Sequence, residues 1–151
     1  MTATFEIKDR FTEPGDSSEL LYAPLDGKFS YRKTRRYLFE IEGDELELNR
    51  FVSETLVDPI SQTMFGGDQA AVSDALFAID YGMKPGALDL EKEAVVSYYK
   101  GLDDPGFTLT NLKIRQRVYV FSEKPGQACD PDIFIGDICN SAIHDWKLIR
   151  N

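Results

Sequence analysis

The stretch CDPDIFIGDICNSAIHDW, residues 129–146, gathers both cysteines, the single histidine and the single tryptophan of the chain, with four aspartates. Such residues can ligate a metal, supply a nucleophile or move a proton. Their spacing argues against each. Zinc sites of thiolate and imidazole place Cys or His pairs two to four positions apart, whereas Cys129 and Cys139 stand ten apart with His144 beyond them. Asp130, Asp132 and Asp137 offer oxygens, but the central glycine and closing glutamate of a calcium loop are missing. Cys139 and His144 are five apart, about 140° around a helix and on opposite faces of a strand, so neither element lets them meet.

Asp137, Ser141 and His144 share a helical face. The same helix, capped by Asp137, presents Ile138, Ala142, Trp146 and Ile149 as its apolar side and leaves the polar triple to solvent. A hydrolase also needs oxyanion donors inside a pocket, and one helix does not supply them. The expectation is therefore no catalytic residue, no metal and no cofactor. PDIFIGD reads as a short buried strand, and the tail after it as a helix that closes the core with Trp146.

Two basic clusters remain. KFSYRKTRR, residues 28–36, interleaves Lys28, Arg32, Lys33, Arg35 and Arg36 with Phe29 and Tyr31, a texture found on nucleic-acid surfaces. The chain as a whole carries a formal charge of −9, and such a body repels phosphate, so nucleic acid is not the expected partner. Lys113, Arg115 and Arg117 alternate along one strand face. Glu40 and Glu42 of a neighbouring strand would pair with them, and a face left open would instead offer Arg115 and Arg117 to an anion or an acidic peptide.

The elements that must position these residues follow from periodicity. RRYLFEIEG (35–43) alternates Tyr37, Phe39 and Ile41 against Leu38, Glu40 and Glu42, the pattern of a half-buried strand. GDELELNRFVSETLVDP follows with Asp44 as helix cap, Glu47 at capping-box spacing, and the stripe Leu48, Phe51, Val52 and Leu56. ISQTMFGG extends that helix by a turn before its glycine pair. MFGGDQAA lacks the ending of a phosphate loop and reads as a plain loop. ALFAIDYGM is a strand, and LKIRQRVYVF a strand with Leu112, Ile114, Val118 and Val120 facing inward; between them LDLEKEAVVSYYKGL suits a helix from Asp89 to Gly101, with the β-formers of AVVSYY leaving a strand as the alternative.

This order predicts an α+β fold, a mostly antiparallel sheet with helices on one face, in a ferredoxin-like arrangement. A chain of 151 residues with 42% hydrophobic content forms one domain, 1–151, in which residues 1–34 make a hairpin or irregular arm. No run approaches the roughly 18 apolar residues of a membrane span, and the opening MTATFEIKDRFTEP is too charged for a signal peptide. A cytoplasmic protein with reduced cysteines is expected.

The functional expectation is a non-catalytic, acidic protein-interaction module of assembly, adaptor or inhibitor type, self-associating through a sheet edge or open face. The alternative is a small cytosolic enzyme or small-molecule-binding protein with a pocket between helices and sheet, lined by Tyr81, Tyr98, Tyr99, Arg115, Asp137 and His144. Across both readings the candidate binding residues are Arg115, Arg117, Tyr98, His144 and Asp137.

Overall fold

The structure, a computed structural model, describes residues 1–67 and 70–150. Among these the order is β1 (Thr2–Asp9), β2 (Gly15–Asp16), β3 (Phe29–Gly43), α1 (Glu45–Thr55), β4 (Gln62–Gly66), β5 (Phe77–Met83), α2 (Leu90–Lys100), β6 (Phe107–Ser122), α3 (Pro131–Ile138) and β7 (His144–Ile149), with a 3-10 turn at Ser17–Leu20. The strands hydrogen-bond in the order β4-β1-β3-β6-β5-β7, and β2 also pairs with β3. Pairings β1–β3, β1–β4, β2–β3 and β5–β7 are antiparallel, which makes the chain α+β. Because β1 lies between β3 and β4 and is antiparallel to both, β3–α1–β4 is a split β-α-β unit, of which a ferredoxin-like sheet has a pair. Helix α2 follows β5 and precedes β6, two strands adjacent in the sheet order.

The chain divides into two compact units. The first comprises Met1–Phe11, Arg35–Ala71 and Leu88–Arg115; the second comprises Thr12–Thr34, Val72–Ala87 and the chain from Gln116 onward.

In the first unit Phe5 and Ile7 of β1, Tyr37, Phe39 and Ile41 of β3, and Leu112 and Ile114 of β6 point to one side of their strands, where α1 adds Leu48, Phe51 and Val52. Helix α2 lays Val95, Val96 and Tyr99 against the same cluster. Asp44 caps α1 as its sequence implies, accepting from the Leu46 N–H at 2.8 Å. The reciprocal arm of the capping box is replaced, since the Asp44 N–H donates to the Gly106 carbonyl at 3.3 Å. Gly43 permits that approach: its φ is +116°, and a Cβ there would stand 2.9 Å from the Phe107 Cα. Along β6 the inward side chains are first Phe107 and Leu109, then Leu112 and Ile114. This change from odd to even positions requires one extra residue near Thr110, the signature of a β-bulge.

The segment Gln62–Gly66, expected to prolong α1, is instead β4, paired with β1 from Phe5↔Gly66 to Asp9↔Gln62. Asp58 ends the preceding turn by accepting from the Ile60 and Ser61 N–H groups, which frees the chain to reverse into a strand. Beyond it, Asp68 and Gln69 of MFGGDQAA lie outside the described residues. The reverse side of β1 carries Glu6, fully buried, opposite Arg36 in register, with Arg36 Nε 3.4 Å from Glu6 Oε1 and the Ala71 N–H donating to Glu6 Oε2.

The second unit is built on Phe29 of β3, Phe77 and Ile79 of β5, Val118 and Val120 of β6, and Phe134 of α3. Here the C-terminal expectation is reversed: PDIFIGD is helix, and the tail is strand. Asp130 caps α3, accepting from the Asp132 N–H at 3.0 Å, with Pro131 at the first turn. Of the run Ile133, Phe134 and Ile135, only Phe134 is fully buried. After a turn at Asn140, β7 pairs with β5 from Met83↔His144 to Ala78↔Ile149. Ile138, Ala142, Trp146 and Ile149 therefore form no helical stripe, and Trp146 stays 41% exposed instead of closing the core. On the reverse side of β5 and β6, Asp80 and Arg117 are buried together.

Candidate functional site

Arg117, read from sequence as a cation on a strand face, is withdrawn from solvent. Its Nε and Nη2 donate to Asp80 Oδ2 at 3.1 and 2.9 Å, and Nη1 donates to the Tyr119 hydroxyl at 3.4 Å. Burial works against the guanidinium charge, but bonding to Tyr119 and the charge of Asp80 outweigh it, and Arg117 is held above the usual arginine value. Arg115 is half-buried and also engaged, and Lys113 is exposed. In the 28–36 cluster, Arg35 bridges to Glu91 at 3.2 Å and Arg36 to Glu6.

His144 and Asp137 are each satisfied locally. The Asn140 N–H donates to His144 Nδ1 at 2.9 Å, which leaves the remaining ring proton of the neutral tautomer on Nε2. The ring meets Tyr81 edge-on at 5.2 Å. Asp137 accepts from the Tyr22 N–H at 3.0 Å. With α3 ending at Ile138 and β7 starting at His144, neither Asp137 nor Ser141 reaches the imidazole, so the serine–histidine–aspartate grouping does not form. Neither cysteine is in a disulfide, and burial followed by the nearby Asp130 charge pushes the Cys129 thiol up.

In the first unit, Tyr98 stands at the rim of a cleft of about 310 Å³ between α1 and the turn after α2. Glu47, Glu54, Asp103 and Asp104 line it, and its one cation, Arg50, bonds Glu54 at 3.1 Å. The Phe51 ring meets that of Tyr98 at 6.1 Å. Small-molecule pockets are mostly apolar with a few convergent polar groups; this opening is instead lined by four carboxylates. Tyr99 turns the other way and is a structural residue, bonded to Phe107 and Leu109. No group of three or more metal-ligating side chains occurs among the described residues.

The feature that residue-by-residue reading missed is the edge formed by β7. This strand ends the hydrogen-bonding order and, among the described residues, pairs only with β5. Lys84 N–H donates to the Ile143 carbonyl, and hydrogen-bonded pairs alternate along an antiparallel ladder. Asp145, Lys147 and Ile149 therefore direct their main-chain groups toward β5, whereas His144, Trp146 and Leu148 direct theirs outward. The His144 N–H is already given to Asn140. Trp146 and Leu148 lie on the side of Tyr81 and Ile79, and Asp145 and Lys147 lie on the side of Asp80. The alternation of HDWKLI was the available signal, overridden by helical spacing around it.

No helix of the described residues is long and apolar enough to cross a membrane. Compared with protein-family models, curated proteins and solved structures, the chain matches none of them.

Proposed function

We propose that this chain acts by contact: a non-catalytic, acidic protein-interaction module in the cytoplasm, whose contact element is the edge strand β7. The carrying observation is Trp146, 41% exposed on a terminal strand whose outward main-chain groups are unpaired by the sheet. An exposed edge is a template for another strand, and tryptophan is the residue type most enriched where interfaces gain their energy. The groups with chemical potential support the same reading, because Arg117, Asp80, Glu6 and Arg36 are held in buried pairs. The carboxylates of the first unit give the molecule its sign and favour encounter with basic surfaces.

A photoreactive benzophenone amino acid in place of Trp146, introduced in the protein's own cells, tests this. The expected result is one discrete cross-linked species, with none from the same group at Leu90, a more exposed position on α2. A folded protein giving no discrete product from position 146 overturns the reading.

A further inference from the structure

The order of charges along β7 specifies what the edge would accept. Asp145 and Lys147 flank Trp146 symmetrically in position and oppositely in charge. We propose that β7 pairs antiparallel with β7 of a second copy of this chain, about a two-fold axis through Trp146. This rests on the contact reading above and names its partner.

The register is fixed by main-chain geometry and charge together. Since the outward groups belong to His144, Trp146 and Leu148, an added antiparallel strand must place outward residues opposite outward residues. Centring the axis on Trp146 lets its N–H donate to the carbonyl of the partner's Trp146 and accept in return. Leu148 N–H then donates to the carbonyl of the partner's His144, and the partner's Leu148 N–H to the His144 carbonyl, while each His144 N–H stays with its own Asn140. Asp145 falls opposite the partner's Lys147 in a non-hydrogen-bonded pair, the closer of the two pair types, and Lys147 falls opposite the partner's Asp145.

Sliding by one allowed step in either direction sets Asp145 opposite the partner's Asp145, or Lys147 opposite the partner's Lys147. A parallel pairing in register brings like charges alongside each other as well. Only the Trp146-centred arrangement joins opposite charges at both positions, and it is self-complementary, as an isologous interface must be. On the opposite side of the ribbon it sets Trp146 against the partner's Trp146 and Leu148 against the partner's His144, covering the exposed Trp146 and Leu148 side chains. A six-residue edge is small beside the interfaces of permanent dimers, so the association is expected to depend on concentration.

Charge exchange tests it. Light scattering and sedimentation of the full chain are expected to show a monomer–dimer equilibrium. Asp145→Lys and Lys147→Asp each create two like-charge contacts and should weaken dimerisation by roughly tenfold or more. Mixing the two variants restores opposite charges at every position, so a heterodimer is expected where neither forms a homodimer. The double exchange D145K/K147D should dimerise like the original. The original, the double exchange and the remaining single variant keep the test decisive should one single variant fail to fold.

A dimer indifferent to these exchanges overturns the proposal. So does a chain that stays monomeric at all concentrations. In that second case, cross-linking from position 146 to a different protein would leave the contact reading standing, and its absence would remove both.

Discussion

The hydroxyl of Tyr99 bridges two main-chain groups of β6: it donates to the Phe107 carbonyl at 2.8 Å and accepts from the Leu109 N–H at 3.1 Å. Its ring also lies 5.3 Å from that of Phe107. One side chain thus ties α2 to the start of β6. Tyr99→Phe keeps the ring and removes the bridge, so a loss of about 1–3 kcal/mol is expected. Tyr98→Phe, at a half-exposed rim position, should change stability by less than about 0.5 kcal/mol. Urea midpoints of the two variants, with unchanged slopes, check the difference; equal midpoints would deny Tyr99 its structural role.

Asp80 and Arg117 set the second expectation. Removing the carboxylate leaves a buried guanidinium without its main counter-charge, so Asp80→Ala should cost about 3–5 kcal/mol. Replacing both members with apolar residues removes the charge as well as its partner. D80L/R117M should therefore be more stable than Asp80→Ala, although it carries one more substitution. Thermal denaturation of the two proteins decides this, and a double variant less stable than the single one would refute it.

Cys129 gives the pH dependence. Burial, then the neighbouring Asp130 charge, disfavours its thiolate and holds the folded-state value above that of the unfolded chain. Near neutral pH fewer thiolates are present than in an unstructured peptide, and the thiolate is the reacting form. Alkylation of Cys129 by iodoacetamide, followed by peptide mass spectrometry, should be slower than that of a model cysteine peptide and continue to accelerate above the ordinary thiol range. The stability linked to the neutral thiol is complete below the unfolded value and is lost as pH rises toward the folded one. Alkylation at the model-peptide rate would contradict this.

What could be read from the sequence was what neighbours in sequence decide. Asp44, Leu48, Phe51 and Val52 announce α1 within two turns; Asp89 and Gly101 bracket α2, but AVVSYY between them suits a strand as well, and packing of Val95, Val96 and Tyr99 on the core decides for helix. The inward positions Leu112, Ile114, Val118 and Val120 also follow from alternation alone. The C-terminal elements were exchanged because both signals were mixed. Ile133, Phe134 and Ile135 resemble a buried strand, while Trp146 falls at helical spacing from Ala142. The choice is made by Asp130 and Pro131 at one end and by pairing with β5, some sixty residues away, at the other. β1 hid behind Glu6, a charge in the middle of a buried stretch, acceptable only because Arg36 stands across from it. The pairing of Arg117 with Asp80 is equally non-local. The candidate edge at β7 depends on which strand lies outermost, a property no local pattern encodes.

The two units draw on alternating stretches of the chain, and two of the changeovers fall inside β3 and β6 rather than in loops. Neither unit corresponds to a gene fragment that could be copied, lost or transplanted by a single pair of breakpoints. Each core closes only when three separate stretches of chain have come together, so contacts distant in sequence must form before either is complete.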